Sequence, residues 1–403
     1  MNNDLKPGWN YKKLNELGFI GRGKSKHRPR NDPSLYGGCY PFIQTGDVKA
    51  ADLYISDYSQ TYNEKGLAQS KLWEPDTLLI TIAANIAETS ILKMKACFPD
   101  SIVGFIADPN KSDVRFIKYY IDTIKFHMQS VSRGTTQDNL SLDKLLTFKF
   151  LTPPIHTQQK IADILSAYDR LIENNTKRIK ILEEMARSLY DEWFVKFRFP
   201  SYEQTKMVDS ELGLIPEGWE LKKLGDVVEL VYGKALKAEQ RLGGLVAVYG
   251  SSGVVGYHNE YLAKAPGIIV GRKGNVGSVF WSEDDFFPID TVFYVQTKVC
   301  LYYVYYNLKN QNFINNDAAV PGINRNQAYS LPFILPSQEA LEKFQNFISS
   351  LFSQLKNLKS KNTNLRQTRD LLLPKLISGE IDLENLHIET GRMNESEEIS
   401  SSS

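Results

Sequence analysis

From Ile161 onward the chain sets seam residues at alternating steps of four and three: Ile161, Leu165, Tyr168, Ile172, Asn175, Ile179, Leu182, Ala186, Leu189 and Trp193. That spacing is the seam of a coiled-coil helix. Pro153-Pro154 stands just before it, and proline suits the first turn of a helix. The spacing returns at Phe344, Ile348, Leu351, Leu355, Leu358, Asn362, Leu365, Arg369, Leu372 and Leu376. Each seam carries one asparagine, Asn175 and Asn362; a polar seam residue costs stability but fixes register. Two matched seams predict two long helices that pair antiparallel, each roughly 40 residues and about 60 Å long. Gly379 reads as the stop of the second, with Pro374 weakening its last turn.

Between the seams the periodicity changes. Leu78-Leu79-Ile80-Thr81-Ile82 and Gly267-Ile268-Ile269-Val270-Gly271 read as buried strands. Ile102-Val103-Gly104-Phe105-Ile106 and Thr291-Val292-Phe293-Tyr294-Val295 read as a second matched pair. Glycine-, asparagine- and proline-rich turns separate them, so both segments are mixed α and β. The polar stretch from Phe199 to Leu214 reads as a linker.

These matches belong to an internal duplication. Gly8-Trp9-Asn10-Tyr11-Lys12-Lys13-Leu14 returns as Gly218-Trp219-Glu220-Leu221-Lys222-Lys223-Leu224, 210 positions on. The block from Asn139-Leu140 to Phe194 returns from Gly322-Ile323 to Ile377, 183 positions on. The offsets differ by 27, so the first copy carries 27 more residues between its repeated ends. A period this long is no solenoid, whose repeats run about 20–50 residues. The expected fold class is α+β, with two globular domains in an internal repeat, separated by two long antiparallel helices forming a coiled coil. The expected boundaries are 1–152 and 216–335 for the globular domains, 153–199 and 336–378 for the helices, 200–215 for the linker, and 379–403 for an acidic, serine-rich tail expected to be disordered.

Composition changes this picture little. The net charge of +1 hides a tail in which Glu380, Asp382, Glu384, Glu389, Glu395, Glu397 and Glu398 face Arg392 alone, leaving about +7 on the rest. That balance permits nucleic-acid binding without requiring it. Cys39, Cys97 and Cys300 form neither a disulfide framework nor a Cys-x-x-Cys site. The polar start and the absence of a long apolar run lead to the expectation of a cytoplasmic protein.

In order and in duplicate, several segments resemble one family. They include Gly8-Trp9 with Lys12-Lys13-Leu14, Pro41-Phe42-Ile43-Gln44-Thr45-Gly46-Asp47-Val48, and Gly134-Thr135-Thr136-Gln137-Asp138-Asn139-Leu140. Pro153-Pro154 before Gln158-Gln159-Lys160-Ile161 adds to these, as do Tyr249-Gly250-Ser251-Ser252-Gly253-Val254-Val255-Gly256-Tyr257 and Gly271-Arg272-Lys273-Gly274-Asn275-Val276-Gly277. Leu372-Leu373-Pro374-Lys375-Leu376-Ile377-Ser378-Gly379-Glu380-Ile381 closes the series. Across nearly its whole length the chain resembles the specificity subunit of type I restriction-modification systems. The resemblance implies two target-recognition domains, each reading one half of a split, asymmetric site in double-stranded DNA. It implies paired helices that act as a spacer and dock two methyltransferase (modification) subunits, with restriction/translocase subunits joining in the full complex. It implies no catalysis and no cofactor in this chain; S-adenosylmethionine, ATP and Mg belong to the partner subunits.

Candidate DNA-binding residues follow from side-chain chemistry. Arg22, Lys24, Lys26, Arg28 and Arg30 alternate cations along nine residues, which suits phosphate contacts. Gln44, Thr45 and Asp47 sit in an expected turn, where Gln pairs with adenine and Asp accepts from cytosine. In the second copy Tyr249, Ser251, Ser252 and His258 fall in the comparable loop. Arg272, Lys273 and Asn275 follow a strand between glycines, and Arg to guanine is the commonest specific contact. The first copy has Ala83, Ala84 and Asn85 there, so the cation pair is not shared. Thr135, Thr136, Gln137 and Asn139, with Asn324 and Arg325 in the second copy, precede the helices and either touch DNA or brace the domain.

Two motif matches are set aside. Gly18 to Ser25 fits the P-loop pattern, but Lys12 to Leu17 is a poor buried strand and Lys26-His27-Arg28-Pro29 a poor helix start. In the second copy only Gly233-Lys234 survives, so a Gly-Lys turn belongs to the scaffold. Thr152-Pro153-Pro154-Ile155 lacks the Asn or Asp and the aromatic of an amino-methyltransferase motif. The five histidines show no metal-ligand spacing. The alternatives are a coiled-coil scaffold with two protein-binding heads and, more remotely, a P-loop NTPase.

Overall fold

Both seams form helices: α1 spans Ile155–Tyr190 and α2 spans Gln338–Ile377. The computed structural model describes residues 5–133, 140–313 and 322–383. On α1, Ile161, Leu165, Ile172 and Ala186 are buried, with Tyr168, Asn175, Ile179, Leu182 and Leu189 half-buried. On α2, Phe344, Ile348, Leu355, Leu358, Asn362 and Leu376 are buried, with Leu351, Leu365, Arg369 and Leu372 half-buried. The chain divides into two compact units. Unit 1 holds residues 1–174 and 361–403, and unit 2 holds residues 175–360, so each long helix contributes one part to each unit. In unit 1 Arg369 pairs with Asp169, and the Asn362 amide donates to the Ile172 carbonyl at 3.3 Å. In unit 2 Lys359 pairs with Glu183 at 2.9 Å. Trp193, just past α1, meets Phe344 in unit 2, with ring centroids 5.9 Å apart, so in both units the partners' numbers rise on one segment as they fall on the other, the mark of antiparallel pairing.

α1 closes in a π turn, Asp191–Val195. Trp193 and Phe194, both on this turn, are buried. α2 ends at Gly379, whose φ of 74° lies in the left-handed region and whose N–H donates to the Leu376 carbonyl.

Unit 1 is built on a five-stranded sheet of β1 (Gly18–Arg22), β2 (Tyr54–Ile55), β3 (Leu78–Thr81), β4 (Thr89–Leu92) and β5 (Ile102–Ala107), in the order β1-β5-β3-β4-β2. Only the β2–β4 pair is parallel. The helix Val114–Arg133 covers one face, and its Phe116, Ile117 and Ile121 join Leu78, Ile80 and Phe105 in the core. Unit 2 repeats the frame with β6 (Val228–Tyr232), β9 (Gly267–Gly271), β10 (Val279–Ser282) and β12 (Val292–Thr297), in the order β6-β12-β9-β10. A smaller sheet of β7 (Val246–Gly250), β8 (Gly253–His258) and β11 (Phe286–Pro288) lies beside it in the order β8-β7-β11. The expected strand pairs are therefore β3 with β9 and β5 with β12.

The repeated Gly-Trp ends have a shared structural reason. Gly8 and Gly218 take φ of 79° and 83°, which an L side chain rarely adopts. They turn the chain into Asn10–Lys12, paired with Phe150–Thr152, and into Glu220–Lys223, paired with Pro332–Leu335. The strand before each long helix is thereby tied to the start of its own copy, with Trp9 and Trp219 buried.

Two expectations need correction. The stretch read as a linker contains an antiparallel hairpin, Met207–Ser210 with Gly213–Pro216, and its Ile215 is buried. Its polar composition hid alternation too short to register. The tail is not disordered from Gly379: Leu383 is buried in the unit 1 core, and its carbonyl accepts from Lys160 Nζ at 3.0 Å. Residues 384–403 lie outside the described residues. No helix among the described residues is long and apolar enough to cross a membrane.

Candidate nucleic-acid interface

In unit 1 the cation run leaves β1 as an extended segment. Gly23 and Ser25 are buried while Arg22, Lys24, Lys26, Arg28 and Arg30 are exposed, because alternate side chains of extended backbone face opposite ways. The inner side is pinned. The Gly23 N–H donates to Ile102 at 2.8 Å, the Lys24 N–H to Phe98 at 2.9 Å, and the Ser70 hydroxyl to the Lys24 carbonyl at 2.7 Å. A Cβ on Gly23 would overlap the Pro99 carbonyl, so the Gly-Lys turn is packing. The Tyr36 phenol, pushed up to about 12 by burial and then by Tyr62, stays protonated and donates to the Arg30 carbonyl at 2.7 Å.

The five cations are not equivalent. Arg22 Nε donates to the Asp100 carbonyl at 3.1 Å, Arg30 pairs with the Asp100 carboxylate, and Arg28 stands 3.9 Å from it. Lys24 and Lys26 have no charged partner among the described residues. Thr45 and Asp47 sit on a short helix, Thr45–Ala50, with Gln44 at its N-cap, rather than in a turn. The Asp47 carboxylate caps it, its Oδ2 accepting from the Gln44 N–H at 2.8 Å and from Ser59 Oγ at 3.3 Å. Gln44 bonds Gln60 at 2.7 Å, and Thr45 is half-buried in the first turn. Thr135, Thr136, Gln137 and Asn139 lie outside the described residues.

In unit 2 one surface gathers most of the expected residues. Ser251 and Ser252 form the tip of the β7–β8 hairpin, beside the loop after β9. Asn275 Nδ2 bonds Ser252 Oγ at 3.2 Å, and Ser278 Oγ donates to the Ser251 carbonyl at 2.7 Å. Lys273 pairs through its backbone with Gly322, and the Ile323 N–H donates to the Arg272 carbonyl at 2.9 Å. That contact brings in Asn324, which caps the helix Arg325–Tyr329, and Arg325 itself. The guanidiniums of Arg272 and Arg325 lie 5.4 and 5.1 Å from the centre of one ring, Tyr232. Tyr232 carried no motif; only the 210-residue offset, which sets it opposite Arg22, could have flagged it.

Tyr249 and His258 are corrections. Tyr249 packs against Phe280 and Phe286, and burial raises its phenol. His258 is buried edge-on against Phe287. Both belong to the smaller sheet, whose inward faces the sequence pattern does not distinguish from its loop.

The loops after β3 and β9 share one backbone. The Ala87 N–H donates to Thr81 as Gly277 does to Gly271, and Leu140 donates to Ile82 as Ile323 does to Arg272. The expected places of Ala83 and Ala84 are therefore one residue off, since Ile82 and Ala83 stand where unit 2 has Arg272 and Lys273, while Asn85 stands opposite Asn275 as expected. Unit 1 holds this loop at a cost. Ala84 and Ala87 both sit at φ of 59°, where unit 2 has Gly274 and Gly277. Left-handed backbone costs an alanine about 1–2 kcal/mol, and glycine's extra freedom when unfolded returns about 0.4–1 kcal/mol of that. Ala84→Gly, at an exposed position, is expected to stabilise unit 1 by roughly 0.5–1 kcal/mol, whereas Ala87→Gly gains little because it also removes a methyl buried in the core. Thermal melts check this; a fall in melting temperature in Ala84→Gly would contradict the strain.

A family model described as "Type I restriction modification DNA specificity domain" matches residues 6–184 and 216–368. The MjaIX specificity subunit of a type I restriction enzyme from Methanocaldococcus jannaschii is 26% identical, over 94% of this chain and 94% of its own. The HindI specificity subunit from Haemophilus influenzae is 24% identical, over 91% of this chain and 98% of its own. Among solved structures, the S subunit of a type I restriction-modification system from M. genitalium superposes with a TM-score of 0.62 at 18% identity, covering 93% of this chain and 97% of that one. The last likeness is one of fold.

Proposed function

The chain belongs to the type I restriction modification DNA specificity family, and from that premise we propose that it is the sequence-reading subunit of a type I restriction-modification complex. The globular parts, residues 1–152 and 216–335, each read one half of a bipartite, asymmetric site in double-stranded DNA. The helical parts, 153–199 and 336–378, set the spacing and dock two methyltransferase subunits and, through them, the restriction subunits. The chain catalyses nothing itself; S-adenosylmethionine, ATP and Mg act on the partner subunits, in the cytoplasm. One observation carries this reading. The same backbone frame occurs twice with different side chains at its loop ends: Ile82 and Ala83 against Arg272 and Lys273, Arg22 against Tyr232. A frame kept constant while its exposed loop residues change suits two heads that read unlike sequences.

Lys24 and Lys26 give the first test, as exposed cations with no charged partner among the described residues. Replacing both by alanine is expected to weaken binding to all duplexes alike. It is also expected to flatten the slope of log K against log salt by about 1.8, at about 0.9 per phosphate contact. Titrations of the complex with labelled duplex at several salt concentrations measure both. Wild-type binding that ignores salt would instead favour two protein-binding heads.

A further inference from the structure

We infer that Arg22 and Arg272 are one functional residue in two guises, a guanidinium held at an equivalent backbone seat in each unit to grip a DNA phosphate. The inference rests on the reading that both units bind DNA. The seat is the carbonyl of Asp100 in unit 1 and of Asp290 in unit 2. Matched backbone bonds identify the two places. Gly23 donates to Ile102 as Gly233 does to Val292, and Lys24 donates to Phe98 as Lys234 does to Pro288. Ile82 donates to Ser101 as Arg272 does to Thr291. Each carbonyl receives an arginine: Arg22 Nε at 3.1 Å in unit 1, and Arg272 Nε at 3.1 Å, joined by its Nη2, in unit 2.

The arginines reach the seat from different strands. Arg22 ends β1, while Arg272 stands one residue past β9. β1 flanks the central strand β5 on one side, and β9 flanks its counterpart β12 on the other. The position that supplies the arginine in one unit holds something else in the other. Tyr232 stands at the place of Arg22, and Ile82 at the place of Arg272. The guanidinium has kept its location while its source has changed.

Two unlike half-sites share one component, the sugar-phosphate backbone, and a feature common to both heads fits that component. Anchoring Nε fixes the plane of the guanidinium. In Arg22 both Nη groups are left without a partner among the described residues, and paired N–H donors suit bidentate contact with phosphate oxygens. The setting is cationic in both units. Arg28 and Arg30 face the Asp100 carboxylate. Arg325 shares the Tyr232 ring with Arg272, and Lys234 and Lys273 lie on the adjoining turns, against the exposed Asp290. The O6 and N7 atoms of guanine offer a guanidinium the same pair of acceptors, so the test must separate base from backbone.

The full chain, with modification subunits, is assayed on the duplex it selects and on variants of that duplex changed at single base pairs. Arg22→Ala and Arg272→Ala are each expected to weaken binding roughly tenfold on all of these duplexes alike. Each should flatten the salt slope by about 0.9 and leave both halves of the selected motif unchanged. Both variants should remain folded in thermal melts, with a small fall in melting temperature from the lost bond to the Asp100 or Asp290 carbonyl. Relaxed preference at one G·C pair in the variant's own half-site would overturn the phosphate assignment in favour of guanine reading. Unchanged affinity and slope would overturn the seat. A wild-type complex that binds no duplex would overturn the reading and the seat together, whereas wild-type binding with either deviant result in the variants overturns the seat alone.

Discussion

Replacing Asp169 by alanine is expected to lower the stability of unit 1 by about 3–5 kcal/mol, the usual cost of breaking a buried ion pair from one side. Asp169 lies on α1 and is 4% exposed. It accepts from the Tyr119 hydroxyl and from the Arg369 guanidinium on α2. Burial, then the neighbouring carboxylate, pushes the Tyr119 phenol well above its ordinary value, so it remains a donor across the working pH range. Without Asp169 a buried hydroxyl loses its acceptor, and the largely buried Arg369 is left with the exposed Asp370, at 2.9 Å, as its charged partner among the described residues. The melting temperature of unit 1 should fall by on the order of 10 °C. Removing the whole group, as Asp169→Leu with Arg369→Leu and Tyr119→Phe, should recover most of that, because both seam positions become apolar. A loss below about 1 kcal/mol in Asp169→Ala would be that of a solvated surface pair and would contradict the burial argument.

Phe194→Ala should cost unit 2 a comparable amount, about 3–5 kcal/mol, as for other buried Phe truncations. The π turn seats this ring against five others: Tyr190, Trp193, Trp219, Tyr303 and Phe344, with centroids 4.6 to 6.3 Å away. Its loss opens a cavity between the end of α1, the repeated Trp219 and the start of α2. Calorimetry of the two variants should show different transitions falling, that of unit 1 for Asp169→Ala and that of unit 2 for Phe194→Ala. Both variants lowering the same single transition would argue against two units.

The sequence carried the frame well because the frame is periodic. Every seam residue from Ile161 to Trp193 and from Phe344 to Leu376 is buried or half-buried, and the strands at Leu78, Ile102, Gly267 and Val292 stand where their apolar runs lie. It carried the surface less well because exposure there is set by tertiary contacts. Tyr249 and His258 flank a short Gly-Ser turn yet belong to the strands of a small sheet, and Asp47 is engaged by a helix start that no long pattern announces. The arginine seat was invisible for a related reason. Its two members occupy non-equivalent positions in the repeat, and only the folded backbone shows that Asp100 and Asp290 stand in one place. The places of Ala83 and Ala84 in the loop after β3 slipped by one residue because these alanines offer nothing to align against Lys273 and Gly274.

The central claim is that one chain carries two different DNA-reading heads. Selection from a random duplex library by this chain, co-expressed with a modification subunit where needed, tests it most directly. Two unlike specific blocks around a gap of fixed length and free sequence is the predicted result. A single contiguous block, two copies of the same block, or no enriched motif from a complex shown to be folded would contradict it.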